Sequence, residues 1–464
     1  MLKISIETII KQAKLAQTEF ENAEQEVVDE LITGLAWALI NPETNRSLSN
    51  QAVKDTGLGN SDDKFNKNYR KTLGLLRDLK NAPSVGVIKE IPQKGLVEIA
   101  RPVGIIGALT PSTNPIATPL NNTLNAIKGR NAIILAPSPK GEAVCELIVE
   151  ILQGVLVQLG HPKYLIQKIP SPVSKDLTNK LMEFVDMVVV TGSQKNVSSA
   201  YRSGTPAIGV GAGNVAVIID ETAEMTSTAK KIVTSKTFDN ATSCSSENSL
   251  VIVDEVYENA LKALQEEGGV LLDRIETQEL RDNLWIQGKL NPHLIAKSAC
   301  DIAKLVGLQR PEMKQAKMLM VEENGTGHEH PFSGEKLSPV LTLYRADNFE
   351  TACQRIIELY EFQGKGHSVG IHSKNEKRPL EMGLKLPACR VIVNQPHCLA
   401  TGGSFGNGMP FSLSMGCGTW GKNSISDNLN YRHFLNIVRV VHPLNPIEPS
   451  EEEIFGDFWK KHGR

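Results

Sequence analysis

Between residues 103 and 203 the chain alternates short apolar runs with longer amphipathic stretches, and that rhythm leaves few folds open to it. Val103–Leu109, Ala132–Ala136, Tyr164–Lys168 and Met187–Val190 read as buried strands. Pro115–Lys128, Gly141–Leu159, Ser174–Phe184 and Ser193–Ser203 read as the helices between them. Strands joined through helices run parallel, and a parallel sheet needs helices on both faces. The fold class is therefore α/β. Ahead of this region, residues 1–83 read as amphipathic helices, with Val27, Val28, Leu31, Ile32, Leu35, Leu39 and Ile40 at helical spacing and the pattern repeated over Lys71 to Leu79. Ser84–Ile91 and Gly95–Arg101 alternate around a Pro-Gln-Lys-Gly turn, which signals a hairpin. A helix over 223–238 leads to a second region with strands at Ser249–Val253, Val340–Tyr344, Ser368–His372 and Val391–Asn394. Asn436–His442 reads as an edge strand before a polar tail. A chain of 464 residues predicts ~two to four lobes.

Composition narrows the function classes. Fifty Lys+Arg against fifty-two Asp+Glu leave a net charge of −2, without the cationic surplus of a nucleic-acid-binding face. The first twenty residues mix charge into their first turns and carry no signal-peptide core. No apolar run reaches the ~18 residues of a membrane span, so the expectation is a cytoplasmic protein with no membrane or nucleic-acid partner. The seven cysteines are scattered and lack CxxC spacing, against a disulfide framework or a zinc site. They leave room for one reactive thiol.

Cys145 and Cys353 lie in helical apolar patterns and read as core. Cys244 sits in Asp-Asn-Ala-Thr-Ser-Cys-Ser-Ser-Glu-Asn, a polar stretch between a helix and a strand, where a thiol is accessible and surrounded by hydrogen-bond donors. Cys417, in Met-Gly-Cys-Gly-Thr-Trp, is its rival. Asn114 precedes Pro115 at a helix start and suits a helix cap. It also stands in a strand-end loop, where ligands of open α/β sheets bind and where its amide could donate to an oxyanion. Gly209, Gly211 and Gly213 do not fit a dinucleotide fingerprint, because the β-branched run Val215–Ile219 follows them instead of a helix. They mark either a tight turn or a close backbone approach.

Together these pieces resemble the CoA-acylating branch of the aldehyde dehydrogenase superfamily. The resemblance rests on RPVGIIGALTPSTNP (101–115), TGS (191–193), SGTPAIGVGAGN (203–214), FDNATSCSSE (238–247), HPFSGEKLSPVL (330–341), GHS (366–368) and SLSMGCGTWGKNS (412–424), in order along the chain. It implies an aldehyde dehydrogenase fold: a Rossmann-like cofactor domain over 1–83 and 103–232, an α/β catalytic domain over 233–435, and an oligomerisation hairpin and tail over 84–102 and 436–464. It also implies a homodimer or homotetramer. By position, Cys244 matches the catalytic nucleophile and Asn114 the oxyanion amide. Thr110, Pro111, Ser138, Lys140, Thr191, Gly192, Ser193, Gly211 and Glu335 match the cofactor site, Glu335 holding the nicotinamide ribose. His367 matches a structural or substrate-lining position.

The implied reaction is attack of Cys244 on an aldehyde, hydride loss to NAD(P)+, and a thioacyl-enzyme. Hydrolytic relatives carry a Glu in a Glu-Leu-Gly-Gly motif, whereas this chain has Val210-Gly211-Ala212-Gly213 there. Lacking that general base, water attack slows by roughly 10²–10⁴-fold, so coenzyme A is the expected acceptor. Pro137-Ser-Pro-Lys140 has a cation where NAD-preferring relatives have an acid, and Arg202 adds another, which leans towards NADP over NAD; both are equally read as solvated surface cations. The loop Asn394–Ser404 is similar to that of acylating enzymes acting on sulfoacetaldehyde. His397, Thr401, Ser404 and Arg202 are its candidate substrate contacts, and a polar surface loop is the rival reading. Acylating oxidation of acetaldehyde, a non-acylating dehydrogenase, and a non-catalytic scaffold are the competing functions.

Overall fold

The computed structural model describes residues 5–211 and 213–464. Four helices open it: α1 (Ile6–Phe20), α2 (Gln25–Ile40), α3 (Pro42–Thr56) and α4 (Ser61–Leu79). Ser5, Asn41 and Asn60 cap α1, α3 and α4 by accepting hydrogen bonds from first-turn N–H groups. Helix α4 is unusual in what it buries: Lys64, Lys67, Asn68, Lys71 and Thr72 lie inside with Leu75 and Leu79.

Strands β1 (Gly86–Ile91) and β2 (Leu96–Pro102) form the expected hairpin. The first large unit then follows: β3 (Ile105–Thr110), α5 (Ala117–Lys128), β4 (Ala132–Pro137), α6 (Glu142–Gln158), β5 (Ile166–Lys168), α7 (Lys175–Phe184), β6 (Met187–Thr191), α8 (Gln194–Arg202) and β7 (Ala207–Val210). Its strands pair in parallel in the order β5-β4-β3-β6-β7. Val, Ile and Leu side chains of β3, β4 and β6 pack with α1, α2, α5 and α6 in one continuous core.

The second unit begins with β8 (Val215–Ile219), α9 (Met225–Thr237) and β9 (Glu247–Val253). It continues through α10 (Tyr257–Glu266), β10 (Gly269–Leu271), α11 (Arg274–Leu284), the small hairpin β11 (Trp285–Ile286) and β12 (Lys289–Leu290), α12 (Ala299–Val306) and β13 (Met318–Glu322). It closes with β14 (Val340–Ala346), α13 (Phe349–Phe362), β15 (Val369–His372), α14 (Arg378–Lys385), β16 (Val391–Val393) and the single turn α15 (His397–Ala400). The sheet is parallel, in the order β10-β13-β14-β9-β8-β15-β16. The chain thus changes sheets between β7 and β8, and α9 packs Ala229, Ile232 and Val233 onto β8 and β9. That crossing precedes the 232/233 boundary expected from sequence, because α9 is a crossover helix of the second sheet. Finally β17 (Leu435–Val441) joins β2, and α16 (Glu451–His462) ends the chain. Among the described residues no helix is long and apolar enough to cross a membrane.

Candidate active site

In the first sheet the strand order reverses beside β3, with β4 and β5 to one side and β6 and β7 to the other. Loops leaving strands on either side of such a point part and open a crevice. Here the loops after β3 and β6 line a cleft of about 980 Å³, together with α4, the 238–245 segment, Glu335 and residues 412–415.

Cys244 lies in this cleft, half-buried. The segment leading to it is strained: Asp239, Asn240 and Ala241 all have positive φ, at 50, 52 and 60°, which costs non-glycine residues energy unless the surroundings enforce it. They do. The Asp239 carboxylate is buried and accepts from Asn60 N (2.9 Å), Lys64 Nζ (3.0 Å), Lys67 Nζ (2.5 Å) and Thr242 Oγ1 (2.8 Å). Its own N–H donates to Asp63 Oδ2 at 2.7 Å. Burial alone would raise this carboxyl, but Lys67 and Lys64 outweigh it and hold it below the usual range. Asp239 therefore pins the segment leading to Cys244 to the start of α4.

Of the glycines after β7, Gly213 serves this loop and Gly211 makes room for the start of α8. A Cβ on Gly213 would stand 2.0 Å from the Cys244 carbonyl oxygen, and one on Gly211 would meet the Gln194 amide at 1.9 Å. The close backbone approach is thus to the Cys244 loop itself; Ala212, between them, lies outside the described residues. Burial first, then Glu335, Cys417 and Cys398, push the Cys244 thiol up to about 12, so at neutral pH it rests protonated.

Asn114 lines the same cleft. Its Oδ1 accepts a hydrogen bond from Lys67 Nζ at 2.7 Å, which fixes the amide so that its N–H₂ end is the free one. That is the end an oxyanion needs. Glu335 is the single carboxylate among the residues lining the cleft. Burial pushes its pKa up to about 8, opposed by Lys236 and Lys336.

Thr110, Pro111, Ser138, Thr191, Gly192, Ser193 and Gly211 all line the cleft beside the reversal point. The buried Ser138 Oγ has no hydrogen-bond partner, and α8 starts here with Ser193 as cap. An orphaned hydroxyl and a helix N-terminus beside a strand crevice fit a dinucleotide and its pyrophosphate. Lys140 is exposed on the turn after Ser138 and does not line the cleft. Arg202 is exposed at the opposite end of α8 from Ser193 and does not line it either.

The expected substrate contacts from the 394–404 loop also lie elsewhere. His397 is buried, and burial pushes its pKa down to about 4, so the ring is neutral. Its Nδ1 lies 3.0 Å from the Ser245 carbonyl, which can only accept, so Nδ1 carries the proton. The buried Thr401 hydroxyl donates to the His397 carbonyl at 2.8 Å, and Ser404 Oγ accepts from Gly406 N within its own turn. None of the three lines the cleft. His397 supports the Cys244 loop from behind, through the Ser245 carbonyl. His367 and Cys417 are buried and likewise do not line the cleft.

The same wall carries two residues that the sequence pattern hid. Arg70 and Lys71 of α4 line the cleft near Gly402, Ser412 and Met415. Within an amphipathic helix a Lys ordinarily reads as solvated, and only the tertiary fold reveals that this face is buried.

Comparisons with known proteins agree with this geometry. Residues 3–271 match the profile of the aldehyde dehydrogenase family. The sulfoacetaldehyde dehydrogenase (acylating) of Cupriavidus necator is 53% identical over 460 residues, 99% of this chain and 93% of that protein. The crystal structure of an acetylating aldehyde dehydrogenase from Geobacillus thermoglucosidasius superposes with a TM-score of 0.92 at 34% identity, over 96% of this chain and 97% of that one. A propionaldehyde dehydrogenase of Rhodopseudomonas palustris, solved with bound propionyl-CoA, gives 0.83 at 26% identity over 94% of each chain.

Proposed function

The chain belongs to the aldehyde dehydrogenase family, and on that premise we propose that it is a CoA-acylating enzyme oxidising sulfoacetaldehyde with NAD(P)+ to sulfoacetyl-CoA. The observation that carries this reading is the makeup of the cleft: a cysteine and a fixed amide, with Glu335 the single carboxylate among the lining residues. The Cys244 thiol adds to the aldehyde carbon, its proton passing to the carbonyl oxygen to give a thiohemiacetal. The Asn114 amide and the Cys244 N–H stabilise the oxygen while it carries negative charge. Loss of the hydroxyl proton and of a hydride then leaves a thioacyl-enzyme. Bound NAD(P)+ supplies the hydride acceptor, and Glu335, Ser138 and the start of α8 would hold it. Glu335, the single carboxylate lining the cleft, is raised by burial to about 8 and is assigned to the cofactor, so none is left to activate water and the thioester awaits a thiol; the CoA thiol displaces Cys244 and regenerates it protonated.

Two further assignments belong to this reading. The protein works as a homodimer or homotetramer; exposed Val438 and Val440 on β17 and Ile454, Phe455 and Phe458 on α16 support a buried interface there. It works in the cytoplasm, whose reducing conditions keep Cys244 a free thiol. The test is intact mass after incubation with sulfoacetaldehyde and NADP+ without CoA. A sulfoacetyl adduct that needs Cys244, is absent in Cys244→Ala and is discharged by CoA supports the reading; an adduct hydrolysed as fast without CoA overturns it.

A further inference from the structure

Basic side chains at a protein surface cost little, but one taken out of water needs a counter-charge. On α4 the first two buried cations have one: Lys64 and Lys67 both pair with Asp239. The next turn does not. Among the described residues neither Arg70 nor Lys71 has a carboxylate within ion-pair distance. Lys71 is only 6% exposed and donates to the carbonyls of Gly402 (2.5 Å) and Gly403 (3.4 Å), over the Phe411 ring. Arg70 Nη1 donates to the Leu399 carbonyl at 3.0 Å. A guanidinium has five N–H donors, so most of its fork is left over.

Both side chains line the cleft that holds Cys244 and Asn114. Cys398 lines that cleft as well. The site therefore offers, beside the nucleophile, two adjacent cations whose present partners are neutral carbonyls. Such a pair is complete only when a ligand brings the negative charge.

Building on the proposed reaction, we infer that Arg70 and Lys71 are the specificity residues of this enzyme, seating the anionic head group of the aldehyde while its carbonyl faces Cys244. A sulfonate presents three oxygens to this pair and a carboxylate two. The role expected of His397, Thr401 and Ser404 passes to α4. The 399–403 backbone instead aims the two cations.

The test compares kcat/KM for sulfoacetaldehyde and for acetaldehyde at saturating CoA and NADP+, in the wild type, Arg70→Met, Lys71→Met and Arg70→Lys. Loss of a charge-assisted contact at a desolvated site predicts that the sulfoacetaldehyde-to-acetaldehyde ratio falls about 100-fold in Arg70→Met. It recovers in large part in Arg70→Lys. In the wild type, ethanesulfonate inhibits acetaldehyde turnover competitively and more strongly than propionate does, and the Met variants lose that inhibition. A ratio within about threefold of wild type in both Met variants overturns the seat even where CoA-dependent sulfoacetaldehyde turnover stands. Ethanesulfonate that fails to inhibit the wild type also overturns it, whatever the variants' folding. Competitive inhibition by ethanesulfonate with no turnover of sulfoacetaldehyde keeps the seat and removes the proposed substrate.

Discussion

Successive turns of α4 treat the same kind of charge in opposite ways. Lys64 and Lys67 are neutralised by Asp239 and spend their donors on structure, holding a strained loop and an amide in place. Arg70 and Lys71, a turn later, face the same cleft without a counter-ion. A buried cation with a protein partner builds the site, and one without a partner recognises something that arrives. Counting basic residues along a helix cannot separate the two; the position of one aspartate does.

Removing that aspartate makes the first pair resemble the second. Asp239→Ala leaves Lys64 and Lys67 buried and unpaired, and breaking such a pair costs ~3–5 kcal/mol. Urea unfolding should report a loss of that size. A change below ~1 kcal/mol, the range of surface pairs, would mean the cluster contributes recognition and not structure. Next in size is Lys67→Met, which frees the Asn114 amide to turn. The loss should fall on kcat, by ~10–10² at nearly constant KM for the aldehyde, because the amide matters once charge develops on oxygen. A rise in KM alone would move Lys67 into the recognising pair.

Lys71→Met sharpens the contrast from the other side. Burial first, then Arg70, hold the Lys71 ammonium down to about 7, with Lys67, Cys398 and Cys244 the other titratable groups around it. The unfolded chain binds that proton up to the ordinary lysine range. The destabilisation from charging Lys71 is thus fully present below pH ~7 and fades as pH rises towards ~10.5. Lys71→Met should raise Tm, more at pH 6 than at pH 9. A lowered Tm at pH 6 would make Lys71 a structural cation like Lys67. The smallest effect concerns the acidic wall. Burial first, and then Glu335, which is ionised above about pH 8, keep the Cys244 thiol high, so Glu335→Gln should speed alkylation of Cys244 at pH 9–10 by a few-fold.

How much of this could be read from the chain follows the same division. β3, β4 and β6 are short apolar runs between helices, and their pattern alone places the parallel sheet, the strand ends Thr110 and Thr191, and the loop bearing Asn114. Cys244 stood out as a cysteine in polar company. β13, Lys-Met-Leu-Met-Val-Glu in context, is not legible in the sequence because Leu and Met suit helix as well as strand. The sheet crossing is equally illegible, since β7 and β8 are both short apolar runs and nothing local says that they join different sheets. His397 looked like a ligand because it is polar in a polar loop, yet its proton is already committed to the Ser245 carbonyl. Arg70 and Lys71 were hidden by amphipathic averaging, which assigns every Lys on a helix to water.

The most direct measurement of the whole account is reduced-cofactor formation by the purified protein with sulfoacetaldehyde and with acetaldehyde, each with and without CoA, on NADP+ and on NAD+. The account predicts sustained turnover only with CoA present and a clear preference for sulfoacetaldehyde. Sustained turnover that is indifferent to CoA would contradict it, because the one lining carboxylate, Glu335, would then be activating water rather than holding the cofactor.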